Sequence, residues 1–168
     1  MMTDTKKATT STNPFEIPTP PEPVPTPEQA QHGPLIIGAS PVSGASTWAE
    51  LLDLEEGDTN PRTDRVVLLV ARTTETSLAA ALELIGRWQD GGPVIAGILV
   101  VPDAPGHPAR VVQHRMRVLS GAHPVIPVPW VPGLRGVHLS EDLTNSKPVA
   151  KAVQKITAAI SARTVATL

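Results

Sequence analysis

The chain has 168 residues, no cysteine and a formal net charge of −2. That length suits one domain plus a tail, and the missing cysteine excludes both a disulfide framework and a thiolate metal site. The charge is unevenly spread: residues 1–106 hold six Lys/Arg against fourteen Asp/Glu, a balance of −8, and residues 107–168 hold eight against two, a balance of +6.

Such asymmetry marks a basic partner surface, or it cancels when the halves interleave on folding. No apolar run approaches the roughly 18 residues of a membrane span; the longest, 94–101, is strand-length. Residues 1–20 carry no apolar signal region. The expectation is a soluble cytoplasmic protein without membrane contact. Phe15, Trp48, Trp88 and Trp130 are the whole aromatic set. The core must therefore be Val, Leu, Ile and Ala, and stacking platforms for single-stranded nucleic acid are not expected.

Taken in chain order, residues 1–33 read as a disordered Pro-rich tail, with seven of the nineteen prolines in "TSTNPFEIPTPPEPVPTPEQAQ". Dense proline favours extended polyproline II and removes backbone donors. The segment serves either as a docking peptide for a proline-binding groove or as a semi-stiff spacer. A domain over 34–168 follows, alternating strand-like and helix-like stretches. Leu35 to Ala39 is a short buried strand, and Thr47 to Leu54 is a helix with Trp48, Leu51 and Leu52 on one side. "EEGDTNPRTD" is an acidic, turn-rich loop. "RVVLLVA" at 65–71 is a strand buried on both faces. Thr76 to Asp90 is a helix presenting Leu78, Leu82, Ile85 and Trp88, stopped by Gly91 and Gly92.

"PVIAGILVV" is the next buried strand, and Ala109 to Leu119 a helix with Val112, Met116 and Leu119 inward. "HPVIPVPW" holds a strand whose prolines suit a sheet edge. An irregular stretch then leads to a closing helix from Lys147 to about Ala162. Strands alternating with helices predict a three-layer P-loop/Rossmann-like α/β domain with about four mostly parallel strands.

The chemistry-bearing stretch is "PLIIGASPVSGASTWAELL", residues 34–52. Phosphate-binding loops aim backbone N–H groups at phosphate oxygens from a helix start; a lysine bridges phosphates and a Ser or Thr holds Mg²⁺. Here Gly38 follows the strand, and Ser43, Gly44, Ala45, Ser46 and Thr47 lead into the helix. Ala45 occupies the lysine position, and Pro41 removes one N–H. A lost charge-assisted hydrogen bond weakens binding roughly 10- to 150-fold. The alternative is an ordinary helix start, with Thr47 and Glu50 as a capping box.

The stretch "SPVSGAST", residues 40–47, resembles the deviant Walker A loop of ParA/MinD-type ATPases, roughly K-G-G-x-G-K-T-T. Gly44, Ser46 and Thr47 match, while Ser40 and Ala45 stand where that family has its two lysines. "DRVVLLVARTTETSLAAALELIGRW", "GGPVIAGILVVPD" and "AHPVIPVPWVPGLRGV" are similar to that family's later strands in the same order. The resemblance spans about 35–137 and implies a shortened, degenerate ParA-like domain of the kind found in high-GC bacteria and their mobile elements. Only Glu55 to Asp64 separate the first helix from the strand at 65–71. Ten residues cannot hold the family's switch strand, Walker B strand and a crossover, so neither the Mg²⁺-positioning acid nor the switch has a place.

Phosphoryl transfer is positioning and electrostatics, so catalysis is not expected. The resemblance implies a non-catalytic accessory or regulatory protein, acting by protein or nucleic-acid contact in plasmid or conjugative-element maintenance. The alternative is a nucleotide-binding switch that takes ATP or ADP with Mg²⁺ weakly at 43–47 without efficient hydrolysis. A homodimer is compatible with either.

Arg110, His114, Arg115 and Arg117 on one helix and Lys147, Lys151 and Lys155 on another make two basic faces. They merge into one polyanion-binding patch if both helices pack on the same side of the sheet; otherwise they are the solvated faces of amphipathic helices. The histidines show no metal-ligand spacing, and no nucleophile–base pair is readable.

Overall fold

In a computed structural model the described residues are 33–134 and 144–164. The expected Pro-rich tail lies outside them except for Gly33, as does the middle of the irregular stretch, 135–143.

Five strands form one sheet, β1 (Leu35–Gly38), β2 (Glu56–Gly57), β3 (Val66–Arg72), β4 (Val94–Val101) and β5 (Val125–Pro127). Every pairing is parallel, in the order β2-β1-β3-β4-β5. Four described helices complete the fold: α1 (Ala45–Leu52), α2 (Glu75–Trp88), α3 (Arg110–Ala122) and α4 (Lys147–Thr164). None is long and apolar enough to cross a membrane.

The central strands are continuous apolar runs because both of their faces are covered. Ile37, Val67, Leu69, Ile98 and Val100 face a core closed by Leu78, Leu84 and Ile85 of α2 and by Val112 and Leu119 of α3. Ile36, Leu68, Val70 and Leu99 face the other way, against Trp48 and Ala49 of α1 and Ala152 and Ile156 of α4. A register shift opposite Val67 and Leu68 pairs them with Ile95 and Gly97, leaving Ala96 as an extra residue. With strict alternation Ile95 and Ile98 would face opposite sides; the bulge puts both on the α2/α3 face.

The α/β alternation and the parallel sheet agree with the expectation, and so does the Pro-bearing strand at an edge. The fifth strand does not appear in the sequence pattern. "EEGDTNPRTD" is not loop alone: Glu56 and Gly57 pair with Ile36 and Ile37 as β2. The closeness is enforced by packing, since a Cβ on Gly57 would lie 2.3 Å from Leu35 Cδ2. Residues 58–65 then return to β3 without a helix, held to α2 by Trp88 Nε1, which donates to Thr59 O at 3.3 Å.

Two further expectations are corrected. Helix α1 begins at Ala45, with Gly44 as N-cap, so Thr47 lies inside the helix and makes no capping box. The basic residues form no single patch. Arg110, His114, Arg115 and Arg117 ride on α3, and Lys147, Lys151 and Lys155 ride on α4, across the sheet from it. Arg115 is also engaged, donating to Glu75 Oε1 at 2.8 Å. The reason is topological: helix side follows from strand order, which the charge pattern does not encode.

Candidate binding cleft at the strand ends

From β1 the chain passes through α1 to β2 on one flank of the strand. On the other flank β3 passes through α2 to β4, and α1 and α2 lie on opposite faces of the sheet. The C-terminal ends of β1 and β3 thus diverge at a topological switch point, where open α/β sheets form their ligand crevice. A cleft of about 570 Å³ opens there, within the size range of small-molecule sites.

The predicted residues Gly38, Ser43, Gly44, Ala45, Ser46 and Thr47 all line this cleft. Gly44 has φ +89°, a left-handed conformation that spares glycine the strain other residues meet. It starts α1 with no side-chain cap and no acid in the first turn. The Ser46 and Thr47 N–H groups fall in that first turn, where no intrahelical acceptor exists. Both residues border the open space.

The loop before them is fixed. Ala39 N donates to Val70 O at 2.8 Å, and Ser43 N to Ser40 O at 3.0 Å. Ser40 Oγ lies 3.1 Å from Ser77 Oγ at the start of α2. Ser43 is buried, its Oγ 3.4 Å from the Ala45 N–H. Gly38 makes room for that hydroxyl, since a Cβ there would stand 2.4 Å from Ser43 Oγ. Ala45 packs its methyl into the α1/α4 core. Within this set Ser43 and Ala45 shape the loop, whereas Gly44, Ser46 and Thr47 present it to the cleft.

Three other residues join them that the sequence did not single out, Glu56, Arg72 and Trp130. Ser46 Oγ donates to Glu56 Oε1 at 3.0 Å, so β2 does bring an acid to the helix start. Arg72, at the end of β3, pairs with Asp103 Oδ1 at 2.9 Å and reaches Val42 O at 3.5 Å. Trp130, half-buried beyond β5, closes the far side of the cleft. Strand ends are where such residues belong, but only the strand order reveals which ends meet.

A second groove, of about 600 Å³, runs beside Trp130 and is bordered by Lys147, Lys151 and Lys155 of α4. Lys155 Nζ is tied to Pro127 O at 3.4 Å. Among the described residues no group of three or more His, Asp or Glu side chains has metal-binding geometry. No family model, curated protein or solved structure matches the chain.

Proposed function

We propose that this chain is a non-catalytic regulatory protein on a ParA-like P-loop scaffold, and that its cleft binds ATP or ADP without hydrolysing it efficiently. The observation that carries the reading is the uncapped glycine start of α1 at the topological switch point. Ser46 and Thr47 of its first turn border a cleft of nucleotide size. Such a start is left open to an anion by both its geometry and its dipole.

The residues present fit a bound Mg²⁺ in one respect. The Ser46 hydroxyl and the Glu56 carboxylate are oxygen donors already in contact, and Mg²⁺ takes one or two carboxylates together with ligand phosphates. Bound there, the ion would neutralise phosphate charge. The non-catalytic part of the reading is supported by the engagement of the nearby acids: Glu56, which lines the cleft, holds Ser46, and Asp103 beside it pairs with Arg72. The bound state would be read out by a protein or nucleic-acid partner, and the lysine-bordered groove beside Trp130 lies next to the cleft.

Calorimetric titration with ADP and with ATP·Mg²⁺ tests the reading. Saturable binding with a Kd weaker than that of lysine-bearing loops is expected, accompanied by no Mg²⁺-dependent phosphate release above a Gly44→Pro control. Absence of binding at millimolar nucleotide would overturn the binding half. Phosphate release well above the control would overturn the non-catalytic half.

A further inference from the structure

We infer that Arg72 is the cation through which the cleft recognises a phosphoryl group, and that Asp103 holds this arginine in reserve until the ligand displaces it. The inference rests on the reading of the cleft as a phosphate-ligand site and names the residue that takes over from the absent lysine.

Arg72 ends β3, directly across the switch point from the β1–α1 loop. Its backbone is anchored, the N–H donating to the buried Ser77 Oγ at 2.9 Å. The guanidinium spans the cleft mouth. One terminal nitrogen meets Asp103 Oδ1 at 2.9 Å, and the other makes only a long 3.5 Å contact to Val42 O. Among the described residues lining the cleft it is the single Lys or Arg. At position 45, where a lysine would be expected, a buried methyl stands instead.

The pair is not a core ion pair. The Arg72 and Asp103 side chains are 21% and 40% exposed, so water and solutes reach both. An arginine fork matches phosphate as well as it matches carboxylate, through parallel N–H···O bonds. A di- or triphosphate brings more charge than one carboxylate and also meets the first turn of α1. Exchange of partners is therefore favourable inside the cleft and unfavourable in its absence.

The exchange has a consequence for the neighbouring loop. Asp103 sits just beyond β4, where its N–H bonds Thr73 Oγ1 at 2.8 Å. Losing Arg72 removes one partner of its carboxylate, next to the segment leading to α3. Ligand occupancy at one strand end is thereby coupled to the ion pairing of another.

Titration of pyrophosphate into the full-length protein, the R72A and R72K variants and the D103N variant tests this, with thermal melts run alongside. R72A is expected to weaken binding roughly tenfold or more. R72K should fall between R72A and the parent, because an ammonium lacks the fork. D103N should bind severalfold tighter than the parent, a gain that a folding defect cannot imitate. If the parent binds and R72A binds equally well, the inference is wrong while the cleft remains a phosphate site. If neither the parent nor D103N binds at several millimolar pyrophosphate, both the inference and the underlying reading fall. Weaker binding by D103N would remove the reserve role of Asp103.

Discussion

Two strand-to-helix turns leave the same sheet, and they are built in opposite ways. The β3–α2 turn is two residues, Thr73 and Thr74. Thr74 caps α2 by accepting the Ser77 N–H at 3.2 Å, and Glu75 places a negative charge in the first turn. Thr73 N–H is taken by Val101 O at 2.9 Å. The Thr73 and Ser77 N–H groups both have internal partners, so this turn is capped from within the fold. The β1–α1 turn, residues 39–44, is longer and spends its hydrogen bonds on holding its own shape. It reaches the helix through an uncapped glycine. Both turns start from buried parallel strands, so the scaffold does not account for the difference. The uncapped start of α1 at the switch point is the feature on which the proposed ligand site rests.

A tryptophan anchors each of the two helices, and the two are buried to different depths. Trp48 of α1 is 1% exposed, whereas Trp88 of α2 is only half-buried. With no cap to help it, α1 depends on this burial. Trp48→Ala should destabilise the fold by about 3–5 kcal/mol in urea denaturation, and Trp88→Ala by clearly less. Equal losses would show that α1 is not held chiefly by its tryptophan.

The second test enters the open turn itself. Gly38→Val forces a side chain against Ser43 Oγ, which lies 2.4 Å from the position of a Cβ. A loss of about 1–3 kcal/mol is expected from overpacking, together with loss of pyrophosphate binding. A stable variant that binds normally would show that the buried Ser43 does not shape the loop.

The closed turn should respond differently. Thr74→Ala removes the cap of α2 and should lower stability by about 1 kcal/mol, with pyrophosphate affinity changed less than twofold. A large affinity change would mean that the two turns are coupled through the Ser40–Ser77 contact.

The smallest effect lies away from both turns, at His123, which ends α3. Burial pushes its imidazole below the usual value of 6.5. The unfolded chain then binds more protons than the native one between the two values, so the stabilising contribution is present above pH 6.5 and fades as pH falls through the native value. His123→Gln should flatten the stability profile slightly between neutral and mildly acidic pH, measured by melting temperature. An unchanged profile would assign that pH dependence to other groups.

Much of this architecture is legible along the chain. The runs at 35–37, 66–71 and 98–100 are apolar throughout because both faces of those strands are covered there. The helical stripes at 78–85 and 112–119 contain the residues that pack inward. The Gly-Ser-Ala stretch at 38–47 is legible too, since an open turn needs small residues and a glycine. Ser and Thr near a helix start serve equally as caps or as first-turn residues, so the choice between a capping box at Thr47 and an earlier start is not legible locally. Where the helix begins was fixed by the left-handed Gly44. Strand β2 stayed hidden because two polar residues carry no periodicity; it is recruited by the open edge of β1.

The alternation of strands and helices, their inward faces and the place of the unusual turn follow from the order of residues along the chain. All of these are written in local periodicity and in the conformational limits of single residues. Long-range packing, by contrast, selected which strand ends are neighbours. It thereby decided that Glu56, Arg72 and Trp130 meet at the cleft, and that the cationic helices α3 and α4 stand on opposite faces. Strand order follows from pairings between distant segments, and several orders would bury the same apolar runs equally well.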